Sequence, residues 1–90
     1  MWFFVYVIRS LKNAGLYVGL TANTLKQRLN EHNEGLSQYT KAYRPWRLIH
    51  FEGYLSKTDA ARREQYLKSN QGARVIKLML KEYFSNKLVG

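Results

Sequence analysis

Cysteine is missing from this 90-residue chain, which excludes a disulfide framework and thiolate metal sites. That absence fits a cytoplasmic protein. Long apolar runs are missing too. The longest, Trp2–Ile8, has seven residues, whereas a bilayer span needs roughly 20, and it carries no basic leader of the secretory kind. No membrane partner is expected. Acidic residues are scarce: six Asp and Glu stand against fifteen Lys and Arg, for a net charge of +9. The excess is shared, +4 in residues 1–55 and +5 in residues 56–90, so it is not a detachable basic tail. Such a charge suits a polyanionic partner, nucleic acid above all. There is no internal repeat, low-complexity tract or linker, and residues 1–90 are expected to form a single domain. At 46% hydrophobic and 14% aromatic, the composition is far from that of disorder and can build a small core.

The apolar residues divide into segments of recognisable period. Trp2-Phe-Phe-Val-Tyr-Val-Ile8 is β-branched and aromatic on both alternating faces, the pattern of a central strand covered on both sides. Ser10–Gly15 is a turn, with Asn13 and Gly15 suited to positive φ. Leu16–Leu20 completes a hairpin. Thr21, Asn23 and Thr24 are candidate caps for a helix over Leu25–Asn33 that stops near Gly35. A polar, basic and aromatic loop over 36–45 ends at the sole proline, Pro45. Trp46–Tyr54 is a third strand. Ser56 or Thr58 caps a helix over 58–69, Asn70-Gln-Gly72 breaks it, and a last helix covers Ala73–Phe84 with Val75, Ile76, Met79, Leu80 and Tyr83 on its apolar stripe. The order β-β-α-β-α-α predicts an α+β fold: a small, mainly antiparallel three-stranded sheet flanked by helices.

Three groups of residues exceed what core-building needs. Tyr6 and Tyr17 lie on the two strands of the hairpin, which can bring their hydroxyls together; ordinary aromatic packing is the alternative. Arg28 and His32 are four apart on one helix and share a face at the edge of the stripe of Leu25 and Leu29. A guanidinium there can hold a phosphate, and an imidazole can pass a proton. An exposed polar helix face is the alternative. Glu64 falls on the stripe of Ala60, Ala61 and Leu67, where a buried carboxylate needs a partner: a metal, another cation or a hydrogen-bond network; a salt bridge to Arg62, Arg63 or Lys68, or an end-on exposed position on a short helix, is the alternative.

Taken in order, Phe4-Val5-Tyr6, Tyr17-Val18-Gly19, Arg28-Leu-Asn-Glu-His32 and Ala61-Arg-Arg-Glu64 resemble the GIY-YIG nuclease superfamily. The segment Tyr39-Thr-Lys-Ala-Tyr-Arg-Pro-Trp-Arg-Leu48 is similar to the loop and strand of its small, stand-alone bacterial members. The likeness covers roughly residues 3–80. One departure is visible: where the signature reads Gly-Ile-Tyr, this chain has Phe4-Val5-Tyr6, keeping the tyrosine and losing the glycine.

The resemblance implies a metal-dependent phosphodiesterase that cleaves DNA, structure- or damage-directed and serving repair or recombination, with RNA left open as substrate. Tyr6 would act as the base for water or orient it, and His32 would relay its proton, since a phenol of pKa ~10 is a poor base at neutral pH. Tyr17 would bind the phosphate or the water. Arg28 would clamp phosphate oxygens as charge builds up. Glu64 would ligate one Mg²⁺ or Mn²⁺ ion. Asn70 would match an asparagine that contributes to the site in larger members, with a helix C-cap as the alternative. Tyr39, Lys41, Arg44, Arg63, Arg74 and Lys77 are the candidate nucleic-acid contacts, with a solvated basic surface as the alternative. A protein partner would supply target specificity. A non-catalytic nucleic-acid-binding module on the same fold is the competing expectation. It gives no use to an acid at Glu64, where a carboxylate repels phosphate.

Overall fold

A computed structural model describes residues 1–85. β1 (Phe3–Ser10), β2 (Leu16–Thr21) and β3 (Trp46–Tyr54) form one antiparallel sheet in the order β2-β1-β3. The helices are α1 (Leu25–Asn33), α2 (Lys57–Lys68), α3 (Asn70–Met79) and α4 (Lys81–Ser85), with a 3-10 turn at Lys41–Tyr43. The α+β class and the strand positions are as expected. The first strand is indeed central, and its alternation divides the protein into two cores. Val5 and Val7 face α2 and α3, packing with Val18, Ala60, Leu67 and Ile76. Tyr6 and Ile8 face α1 with Trp46, Leu25 and Leu29. Both faces of β1 are therefore dry over Val5–Ile8. No helix among the described residues is long and apolar enough to cross a membrane.

Several local expectations change. Positive φ in the hairpin turn falls on Ala14 (φ 64°), not on Asn13 or Gly15. The Ser10 hydroxyl accepts from the amides of Lys12 and Asn13, and Asn13 Oδ1 accepts from the Gly15 amide, so side chains fix the turn. Thr24, rather than Thr21 or Asn23, caps α1 by accepting from Gln27 N at 3.1 Å. Gly35 follows the helix end with φ +82°. Ser56, rather than Thr58, caps α2.

The break between the second and third helices is one residue, Ser69, and not Asn70-Gln-Gly72. Ser69 ends α2 and caps α3, its hydroxyl accepting from Gly72 N at 3.1 Å. Gly72 is a contact residue: a methyl there would strike the Tyr66 carbonyl oxygen and the Leu67 Cα. Asn70 consequently opens α3 and is not the C-cap of α2. The last expected helix is interrupted at Leu80, giving α3 and α4, and Met79 points outward at 41% exposure instead of joining the stripe.

Candidate active site

The site begins with a strand and a missing side chain. Tyr6 pairs with Gly19 across β1 and β2. With no Cβ at Gly19, the Tyr6 ring lies directly across β2; a methyl there would overlap the phenol carbon and oxygen. Tyr6 is 2% exposed, so its ring is committed to this path while its hydroxyl meets two side chains from α1. Arg28 Nε donates to the Tyr6 oxygen at 3.1 Å. His32 Nε2 lies 2.8 Å from the same oxygen. The helical spacing of Arg28 and His32 thus aims both at one phenol.

The sequence-based reading puts His32 at the edge of the core, but it is fully buried. The 36–45 loop covers it. Thr40, also fully buried, sets its hydroxyl 2.7 Å from His32 Nδ1. Trp46 Nε1 donates to the Thr40 carbonyl at 2.8 Å, and the Asn33 side chain clasps the backbone N and O of Trp46 at 2.6 and 3.0 Å. The Thr40 hydroxyl is directed at the Ser37 carbonyl, 3.5 Å away. Its oxygen then accepts from His32 Nδ1–H, which leaves Nε2 as the acceptor for the Tyr6 hydroxyl. No local pattern marks Thr40 in the sequence. Between Tyr39 and Lys41 it is one polar loop residue among several, and its role depends on a contact across eight residues of chain.

The electrostatics agree with this chain of hydrogen bonds. Burial raises the Tyr6 phenol above its usual pKa, against the hydrogen bond and charge of Arg28, which lower it. Burial and the neighbouring Arg28 charge bring His32 down to about 4, so the imidazole is neutral at pH 7. A neutral imidazole can accept a proton where an imidazolium cannot.

Tyr17 pairs with Ile8 and stands on the same sheet face, its ring edge-on to His32 at 5.3 Å and to Trp46 at 6.4 Å between centroids. Glu64 comes from α2, on the opposite face, and its charge reaches the Tyr6 phenol. Its side chain is 20% exposed, and its carboxylate pairs with Lys68 Nζ at 3.2 Å. Lys68 Nζ also sits 5.9 Å from the centre of the Tyr17 ring. Of the sequence alternatives for Glu64, the salt bridge to Lys68 is therefore present. A single partly exposed carboxylate, whose ion-pair partner is a half-exposed lysine, supplies a hard oxygen donor that suits a divalent cation with water and phosphate as its other ligands. Arg28 has its own acid: its Nη1 pairs with Glu31 Oε1 at 2.9 Å.

The remaining candidates stand apart from this group. Tyr39 (74% exposed), Lys41 and Arg44 lie on the loop that covers His32, where Arg44 Nε donates to the Lys41 carbonyl at 2.9 Å. Arg74 and Lys77 are exposed on α3, and Asn70 is exposed at its start. Arg63 directs Nε and Nη2 at Glu52, at 2.8 and 3.1 Å. Glu52 also accepts from the Tyr54 hydroxyl and sits 2.9 Å from His50 Nε2. Burial tends to raise the Glu52 carboxyl, but these partners outweigh it and hold the pKa at about 2. That cluster was not visible in the sequence, since three of its members alternate along β3 and the fourth comes from α2.

Comparison with known proteins identifies the family. The model of the GIY-YIG catalytic domain matches residues 2–78. A UPF0213 protein of Pediococcus pentosaceus is 38% identical over 84 residues, covering 92% of this chain and 86% of its own length. One from Clostridium perfringens is 38% identical over 66 residues, 72% of this chain and 69% of the relative. The solution structure of a UPF0213 protein from Bacillus halodurans aligns with a TM-score of 0.54 at 27% identity, covering 88% of this chain and 85% of that one. Tyr6, Tyr17, Arg28, His32 and Glu64 all fall inside the matched segment, and the chain belongs to the GIY-YIG family, carrying its nuclease catalytic domain.

Proposed function

We propose that this protein is a divalent-metal-dependent phosphodiesterase that cleaves DNA of irregular or damaged structure, in repair or recombination. The observation that carries the reading is the Tyr6 hydroxyl held between a donor that cannot accept, Arg28 Nε, and a neutral acceptor, His32 Nε2. In this reading the Tyr6 oxygen takes a proton from the attacking water as its own proton passes to His32 Nε2. Thr40 keeps the imidazole in the receptive tautomer. The resulting imidazolium and the Arg28 guanidinium offset the developing negative charge. The Arg28 N–H groups not used by Tyr6 and Glu31 clamp the phosphate oxygens, and the Tyr17 hydroxyl binds the phosphate or the water.

Glu64 would hold one Mg²⁺ or Mn²⁺ ion, with Lys68 displaced from its carboxylate. Bound there, the ion supplies Lewis-acid stabilisation of the phosphate and the departing oxygen. Lys41, Arg44, Arg74, Lys77 and Tyr39 are the docking contacts. Arg63 contributes through whichever donors Glu52 leaves it, and Asn70 lies at the α2–α3 junction. Residues 1–90 act as one domain, and a partner protein adds target choice.

The test is cleavage of branched, single-stranded and duplex DNA with Mg²⁺ or Mn²⁺, comparing the wild type with Glu64→Ala and Tyr6→Phe. Metal-dependent cutting by the wild type, lost in both variants while DNA binding persists, supports the reading. No cutting of any substrate by the wild type, or equal cutting by all three proteins, contradicts it and leaves a binding module.

A further inference from the structure

The face of the sheet that carries Tyr6 is only half covered. α1 packs over Tyr6, Ile8, Tyr17, Trp46 and Leu48, and stops short of the other end of β1. There Trp2 is 52% exposed and Phe51 is 54% exposed, with Phe4 between them. The Phe4 and Phe51 rings meet edge to face at 6.2 Å. The Trp2 and Phe4 rings also flank Gly53: a methyl built there would lie 3.3 Å from Trp2 Cε3 and 3.4 Å from Phe4 Cε1. Phe4, which stands where the signature motif has glycine, belongs to neither core. Two rings therefore flank a bare backbone position, and the third, Phe51, meets one of them, in an open aromatic surface.

This surface continues directly into the candidate site. Phe51 is the cross-strand partner of Tyr6, and Phe4 is two residues before it on the same face. Directly opposed residues such as Phe51 and Tyr6 have Cβ atoms about 5 Å apart. We propose that Trp2, Phe4 and Phe51 form a stacking platform for unpaired nucleobases of a DNA strand whose phosphate reaches Arg28. The inference deepens the nuclease reading and rests on it: the preferred substrate would carry unstacked bases beside the cut. Aromatic faces stack any base, and a basic protein draws the backbone. In intact duplex the bases already stack on one another and offer these rings no face. A second copy of this chain is a poorer occupant, because two bodies of +9 each repel at low ionic strength.

Binding is measured in EDTA, so that cleavage plays no part, with oligothymidylate and an abasic oligomer of equal length and charge. Oligothymidylate is expected to bind about tenfold tighter, and to quench the fluorescence of Trp2; Trp46, 6% exposed, should contribute little change. Trp2→Ala with Phe51→Ala should bring the two affinities together while sparing that for the abasic strand. Trp2→Tyr, which keeps a ring, should hold the preference and lose the quenching. Equal affinity of the wild type for both oligomers overturns the proposal. So does a dimer in sedimentation that the double alanine variant dissolves, and so does a preference that survives in that variant. A protein that prefers bases but never cuts DNA contradicts the nuclease reading and leaves the platform standing. One that cuts without base preference does the reverse.

Discussion

The ring of Tyr6 occupies the space that any side chain at position 19 would fill. Gly19 is therefore required by a neighbour's path rather than by its own backbone angles. Gly19→Ala is expected to displace the phenol from Arg28 and His32. We expect a rate loss of about 10²-fold, near that of Tyr6→Phe, and destabilisation of ~1–3 kcal/mol from overpacking. Thermal melts should show the stability cost shrinking when Gly19→Ala is placed in a Tyr6→Ala background, where the ring is gone.

Thr40 should behave as a positioning residue. Thr40→Val leaves the buried His32 Nδ1–H without an acceptor, at a cost of ~1–3 kcal/mol, and releases the tautomer that faces Tyr6. The rate is expected to fall about tenfold or more, and Thr40→Ser should restore it. A pH–rate profile separates this role from simple destabilisation, because the acid limb should move in Thr40→Val and stay in place for a destabilising change elsewhere in the core.

His32 and Glu52 predict successive windows of acid sensitivity. His32 has a folded pKa of about 4 against an ordinary 6.5. Between those values the unfolded chain binds the proton that the fold refuses, so stability falls as pH drops from 6.5 toward 4. Glu52, at about 2 against an ordinary 4.5, contributes stability above pH 4.5 that is lost as pH falls toward 2. Melting temperatures measured across this range should fall through both windows. The upper slope should weaken in His32→Gln and the lower in Glu52→Gln.

Lys68 should compete with a cation for Glu64. An i,i+4 pair of this exposure contributes ~0.3–0.5 kcal/mol, which corresponds to about a twofold change in affinity. Lys68→Met is expected to lower the Mg²⁺ concentration for half-maximal cleavage by about that factor. A metal titration of activity in both proteins checks this, and an unchanged or higher requirement would argue against Glu64 as the ligand.

The sequence by itself determined the strands, the helix over Leu25–Asn33, the α+β class and the grouping of Arg28 with His32. These depend on local period: alternation along β1, and a four-residue step that returns to one helix face. It also marked Glu64 as an acid on an apolar stripe. It did not decide what each of these groups touches. Only the tertiary structure placed Thr40 behind His32, set the Tyr6 ring across Gly19, and gave Lys68 to Glu64 and Arg63 to Glu52. Except for Lys68 and Glu64, a turn apart on α2, these partners come from separate elements or from distant points of a loop. Registers and loop folds set such pairings, and local residue patterns do not encode them.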